Sequence, residues 1–164
     1  MRHSPLWTKL STLAATTSRG LLRQVELQAM VRSHRPLLCR DIMSRDVISV
    51  PETATADEAR KQLLDHNIRT LPVVDAEAKL VGAVGLRELT RATDTVKGVT
   101  SKAGTASPDT PAMSLLPVLT DGRSHAVVIV DAEQRILGLI TQTDLLAAAA
   151  RLQTADEPPL KAVA

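Results

Sequence analysis

A hydroxyl and a carboxylate three residues apart, Thr141 and Asp144, follow the apolar run Ile136 to Ile140. That run reads as a strand passing directly into a helix that starts near Gln142. Thr141 then occupies the N-cap, where its oxygen can accept from an orphan backbone N–H. Asp144 falls in the first turn, where negative charge suits the positive end of the helix dipole. Two readings stand side by side. In one the pair is a well-capped helix start. In the other the hydroxyl and carboxylate share a crevice, bind a ribose diol and leave a phosphate on the helix N-terminus.

The unit that carries this pair occurs twice. A shift of 56 residues lays Asp75-Ala76-Glu77 on Asp131-Ala132-Glu133 and Gly82 on Gly138 without a gap. It also pairs Leu63 with Leu119, Asp65 with Asp121 and Leu89 with Leu145. The apolar runs coincide as well: Leu71 to Val74 on Val127 to Val130, and Leu80 to Val84 on Ile136 to Ile140. Two copies of one supersecondary unit, neither suited to bury its apolar face alone, place the structural centre at their shared interface.

Each copy spells β-α-β-β-α. In the first, Val47 to Val50 is a short strand, and Thr55 with Glu58 three residues on forms a capping box. The helix they start carries Ala59, Leu63 and Leu64 and ends near His66-Asn67. Strands Ile68 to Val74 and Leu80 to Val84 follow, then a closing helix from Leu86 to Ala92. In the second copy Ala103 to Ala106 is the first strand, and Pro111 suits the first helical position. Pro117 conflicts with a regular helix there, so a kink or a late start is expected. The last helix runs from Gln142 to about Leu152. The segments are a 1–39 extension with an amphipathic helix from Leu21 to about Ser33, repeats at 40–96 and 97–152, and a disordered tail at 153–164.

Composition narrows the function. At 164 residues with 44% hydrophobic and 23% charged residues, the chain is an ordinary globular one. The net charge is +2, unevenly spread: residues 1–40 hold seven Lys or Arg against one acid, the rest thirteen against seventeen. With no Phe or Tyr and with Trp7 the only Trp, the repeats offer no aromatic platform for single-stranded nucleic acid. A planar base would have to sit between aliphatic side chains. The one cysteine, Cys39, excludes an internal disulfide and suits a cytoplasmic setting. No apolar run approaches the roughly 18 residues needed to span a bilayer.

These residues resemble the tandem CBS domain pair, or Bateman module, over residues 40–152. The resemblance rests on Arg40-Asp41-Ile42-Met43-Ser44, on Leu71-Pro72-Val73-Val74-Asp75, on Gly82 and Gly138, and on the Thr141-x-x-Asp144 ending. Residues 21–50 are further similar to the cytoplasmic tail of HPP-type bacterial membrane proteins. The HPP membrane portion is not within these residues, so a free-standing version of that tail is expected. The resemblance implies an α/β (α+β) fold of two repeats packed sheet to sheet in pseudo-twofold symmetry, a homodimer, and a regulatory module rather than an enzyme. It implies an adenosine-containing ligand such as AMP, ADP, ATP or S-adenosylmethionine, and no catalytic cofactor.

Carried over by position, Asp144 and Thr141 match the ribose-binding pair. The base would sit near Thr105, Ala106, Val127 and Val128. Phosphate would meet the N–H groups of Gln142 and Thr143, with His125 or Arg123 as counter-charge. Where the second copy has Thr141 and Asp144, the first has Gly85 and Glu88, so one functional site is expected, with Arg69 as a cation on the other side. Enzyme chemistry finds little footing. His3, His34, His66 and His125 lack metal-ligand spacing, no phosphate-binding Gly-Lys-Ser/Thr loop or nucleophile elbow occurs, and Cys39 would need an electropositive setting to react. The alternative is a protein-interaction or dimerisation module without ligand. A third reading is a membrane-associated subunit, regulating a membrane transporter or another protein, whose residues 1–33 dock to that transporter or to lipid.

Overall fold

The structure, a computed structural model of the chain, describes residues 35–156. The chain divides into two units, residues 37–150 in one and 1–36 with 151–164 in the other. The expectations for residues 1–34 and 157–164 fall outside the described residues.

The first repeat comprises α1 (Cys39–Ile42), β1 (Val50–Pro51), α2 (Ala56–Asp65), β2 (Leu71–Val74), β3 (Leu80–Val84) and α3 (Leu86–Leu89). A 3-10 turn, Val96–Gly98, leads to β4 (Gly104–Ala106). A second 3-10 turn, Ala112–Leu115, runs into α4 (Leu116–Thr120), followed by β5 (Ala126–Val130), β6 (Ile136–Thr141) and α5 (Gln142–Asp156). Each repeat builds its own three-stranded sheet, ordered β1-β2-β3 and β4-β5-β6. In both sheets the first pair is parallel and the second antiparallel.

Local chemistry sets the elements. Thr55 Oγ1 accepts from the Glu58 N–H at 3.2 Å and Glu58 Oε2 accepts from the Thr55 N–H at 2.9 Å, so α2 starts on a complete capping box. The Pro117 conflict resolves as a late start. The 3-10 turn carries the chain to Leu116, and Pro117 lies in the first turn of α4, where its missing N–H leaves no bond unmade. Three strands are shorter than expected, β4 by Ala103 alone. Val47 and Ile48 before β1, and Ile68 to Thr70 before β2, have strand-like composition, but ladder pairing begins only at Val50↔Val73 and Leu71↔Val84. Helix α3 stops at Leu89 rather than Ala92, and α5 continues to Asp156, past Leu152.

The repeats are tied together by exchange. Ser44, ahead of the first repeat's strands, pairs antiparallel with Leu139 of β6 in the second. Ser101, ahead of the second repeat's strands, pairs in the same way with Ala83 of β3 in the first. The flanking bonds repeat the exchange. Cys39 N–H donates to Thr110 O at 2.8 Å, and Val96 N–H donates to Ala54 O at 2.9 Å. Each lead-in peptide therefore covers the other repeat. Among the fully buried side chains are Leu63, Leu71, Val73 and Val84 in the first repeat and Val127, Ile129, Ile140 and Leu145 in the second. The core is aliphatic throughout, as a chain without Phe or Tyr requires.

Candidate functional site

Strand β6 delivers Thr141 to the start of α5, in register with Ala126 on β5. The Thr141 N–H and Oγ1 both donate to Asp144 Oδ2 at 2.9 Å, and the Asp144 N–H donates to Thr141 Oγ1 at 3.3 Å. The well-capped helix start is thus realised in full. It engages only one oxygen of the Asp144 carboxylate, and the pair is half-buried rather than sealed.

Thr141, Gln142 and Thr143 line a cavity of about 350 Å³ together with Asn67, Arg69, Thr70 and His125. A second cavity, of about 570 Å³, lies on the first repeat's side, at Gly85 to Glu88 and Ser101 to Gly104. Both cavities share Ile68, Arg69, Thr70, His125 and Ala126. The 56-residue shift superposes Arg69 on His125 and Thr70 on Ala126, so the shared wall is where the two copies face one another.

The expected site residues divide. Thr141, Gln142, Thr143 and His125 come together, with Asp144 fixing Thr141 from the helix. Val128 lines the larger cavity instead, and Arg123 joins it there. Thr105, Ala106 and Val127 line neither cavity. Thr105 and Ala106 lie along β4, beyond the Ser101–Gly104 edge that borders the larger cavity, and Val127 is enclosed between Gly104 and Ile140. Of the expected base-pocket residues, only Val128 lines one of these two cavities.

On the first repeat's side, Gly85 N–H donates to Glu88 Oε2 at 2.9 Å, so Glu88 caps its helix without a hydroxyl partner. A Cβ at Gly85 would lie 2.9 Å from the Arg69 carbonyl oxygen. The glycine fits that close approach. Sequence reasoning missed Arg87, Lys102, Asn67 and Thr70 as wall residues. The internal repeat held the signal for Asn67, which superposes on Arg123, and for Thr70.

The rim loop is held by Asp121, whose Oδ1 accepts from the Arg123 and Ser124 N–H groups at 2.7 and 3.1 Å. Those bonds keep the exposed carboxyl below its ordinary range. Cys39 is fully buried, and burial, then the neighbouring Asp41 charge, push its thiol up. Arg40 pairs with Asp109. The setting is that of an inert thiol. Among the described residues no cluster of His, Cys, Asp and Glu could hold a metal ion, and no helix is long and apolar enough to cross a membrane.

Comparison with known proteins agrees with this architecture. The CBS domain model matches residues 39–94 and 96–151. The chain is 34% identical over 110 residues to inosine-5'-monophosphate dehydrogenase of Methanocaldococcus jannaschii, covering 65% of this chain and 22% of that protein. It is 30% identical over 151 residues to A-adding tRNA nucleotidyltransferase of Geobacter sulfurreducens, covering 83% of this chain and 17% of that one. It thus spans about a fifth of the curated relatives it matches. A crystallised CBS domain pair, in complex with 5'-methylthioadenosine and S-adenosyl-L-methionine, superposes with a TM-score of 0.63 at 28% identity, over 74% of this chain and 99% of that one. Two reciprocally exchanged repeats, a family match to each and a superposable domain pair lead to one conclusion: the chain belongs to the CBS domain family as a tandem CBS pair.

Proposed function

We propose that the chain is a regulatory sensor that takes an adenosine-containing ligand in the cleft between its repeats. The observation that carries this reading is the Thr141 cavity. The Thr141 hydroxyl lines it, hydrogen-bonded to the Asp144 carboxylate, and Arg69 from the opposite repeat lines it as well, with His125. A ribose diol can bridge to the carboxylate while a phosphate meets Arg69 and His125. The relatives support a regulatory role. They differ in activity, yet the chain matches only a small part of each, so what they share with it is a module rather than a reaction. The superposable pair holds two adenosyl compounds.

A ligand that binds one arrangement of the repeats better than another shifts the population between them. The regulated partner is a protein that reads that shift. A homodimer fits the exposed apolar side chains Leu64, Met113, Leu116, Val118 and Leu146 on the helices.

Thermal unfolding of the full chain, followed with an external dye, tests the reading. AMP, ADP, ATP and S-adenosylmethionine are each added to wild type and to Asp144→Ala. A bound ligand at 100 times its Kd raises stability by about 2.7 kcal/mol, and the rise should shrink in the variant relative to its own ligand-free midpoint. No shift with any of the four would leave the interaction-module reading in its place.

A further inference from the structure

We infer that the exposed cations of the larger cavity form a docking face for an acidic segment of a partner protein, one that sets carboxylates on either side of an aliphatic side chain. This docking needs no ligand at Thr141 and belongs to the chain whether or not it is a sensor.

Positive charge gathers at this face against the trend of the molecule. Residues 37–150 hold twelve Lys or Arg against fifteen Asp or Glu, so the body is acidic by three charges. Arg40, Arg60, Lys61, Lys79 and Lys97 each stand in an ion pair, and none of them lines the 570 Å³ cavity. Of the seven others, which enter no ion pair among the described residues, four line it: Arg69, Arg87, Lys102 and Arg123. All four are exposed. The nearby acids are already engaged. Glu88 Oε2 accepts from the Gly85 N–H, and Asp121, one residue outside the lining, holds the loop backbone through its Oδ1. Like charges gathered around one concavity repel each other, and an anionic partner relieves that repulsion.

The lining is not cationic alone. Leu86, beside Arg87 in α3, is 46% exposed, and half-buried Ile68 lines the same cavity. An aliphatic side chain of the partner can cover Leu86 while the carboxylates that flank it meet guanidinium and ammonium groups in charge-assisted bonds. Arg69 and Arg87 belong to the first repeat, Lys102 and Arg123 to the second. A segment held by all four therefore touches both repeats.

Other polyanions fit this face less well. A nucleoside finds no hydroxyl at Gly85, and the Glu88 oxygen is taken. Single-stranded nucleic acid stacks on aromatic side chains, and residues 37–150 contain no Phe, Tyr or Trp. An anionic membrane presents a plane of charge, whereas these cations surround a concavity. Acidic side chains are flexible enough to enter it. Because the body as a whole repels anions, the attraction is local to the face, and it weakens as salt rises.

Fluorescence anisotropy of the full chain with a labelled peptide of Glu residues around one central Leu tests this. A peptide of Glu alone and a peptide of Gln around the same Leu serve as comparisons. Two double variants remove equal charge: Arg87→Gln/Lys102→Gln at the face and Arg45→Gln/Arg135→Gln outside it, all at exposed positions. Unchanged melting midpoints establish that both are folded. The Glu–Leu peptide should bind at least tenfold tighter than the Gln–Leu peptide and at least threefold tighter than Glu alone. The face variant should weaken it at least fivefold and the outside variant less than twofold. No binding of the Glu–Leu peptide, or equal losses in the two variants, would overturn the docking face and leave the sensor reading, which nucleotide-dependent melting tests, intact. Inorganic tripolyphosphate or a single-stranded oligonucleotide that displaces the peptide with equal or higher affinity would also overturn it, assigning the cations to a phosphate compound or to nucleic acid.

Discussion

At the scale of single residues, the repeat places glycine where another chain segment leaves no room. A Cβ on Gly82 would strike the Ser101 carbonyl oxygen and approach Thr100 Cγ2 to 2.5 Å. One on Gly138 would approach Met43 Sδ to 2.5 Å and Cγ to 2.7 Å. The two obstacles differ in kind. A methionine can withdraw its flexible end, whereas the Ser101 carbonyl is held by the Ala83 N–H at 2.9 Å. Both Gly82→Ala and Gly138→Ala should therefore destabilise, by about 1–3 kcal/mol, with Gly82→Ala the more costly. Chemical denaturation midpoints check this, and equal or negligible losses would contradict it. The glycines were legible in the sequence as a repeated pair. Their obstacles were not, because a 56-residue period does not reveal that each copy receives its neighbour from the other copy's lead-in.

At the scale of elements, the repeated Asp-Ala-Glu triplets are turns. Asp75 Oδ1 accepts from the Glu77 and Lys79 N–H groups, and Asp131 Oδ1 from those of Glu133 and Arg135, all at 2.9–3.0 Å. The bends force Ala78 to φ 62° and Gln134 to φ 65°. Left-handed backbone costs a residue with a Cβ about 1–2 kcal/mol, which glycine escapes at a smaller cost in unfolded-chain entropy. Gln134→Gly should therefore stabilise by about 0.5–1 kcal/mol, read as a midpoint rise of a few degrees; a fall would mean that the Gln134 side chain matters more than its backbone. Elements of this sort were legible because their causes are local: the Thr55–Glu58 box, the Thr141–Asp144 box and the Pro117 late start each depend on a few adjacent residues. Strand ends were less so, since Ile68–Thr70 has strand composition but no ladder partner. The site followed the same division. Thr141, Gln142 and Thr143 lie together along the chain, while Arg87 and Lys102 join the cavity only through packing.

At the scale of the whole molecule, the exchange of lead-in peptides makes neither repeat complete within its own sequence. Leu37, Cys39, Ile42 and Met43 are buried, and the backbone of this segment bonds to the second repeat: the N–H groups of Cys39, Arg40 and Ser44 donate to Thr110, Pro108 and Leu139, and Leu37 O accepts from Ala112. Burying a Leu, Ile or Met side chain contributes about 1.5–3 kcal/mol, so three such side chains rival the whole stability of a typical domain, about 5–15 kcal/mol. A chain beginning at Arg45 keeps every strand of the second repeat yet loses the cover over Gly138 and β6. It should lose its cooperative thermal transition, or melt far below the full chain, with the damage falling on the second repeat although the deletion precedes the first. Hydrogen exchange separates the outcomes: early loss of protection in β5 and β6 fits the exchange, whereas loss confined to β1 and β2 would mean that each repeat is held by its own lead-in. The same coupling suits the proposed sensor role. Ser101 lines the larger cavity and pairs with Ala83 of β3 in the other repeat, so a ligand of the proposed kind that orders Ser101 would act on both repeats at once.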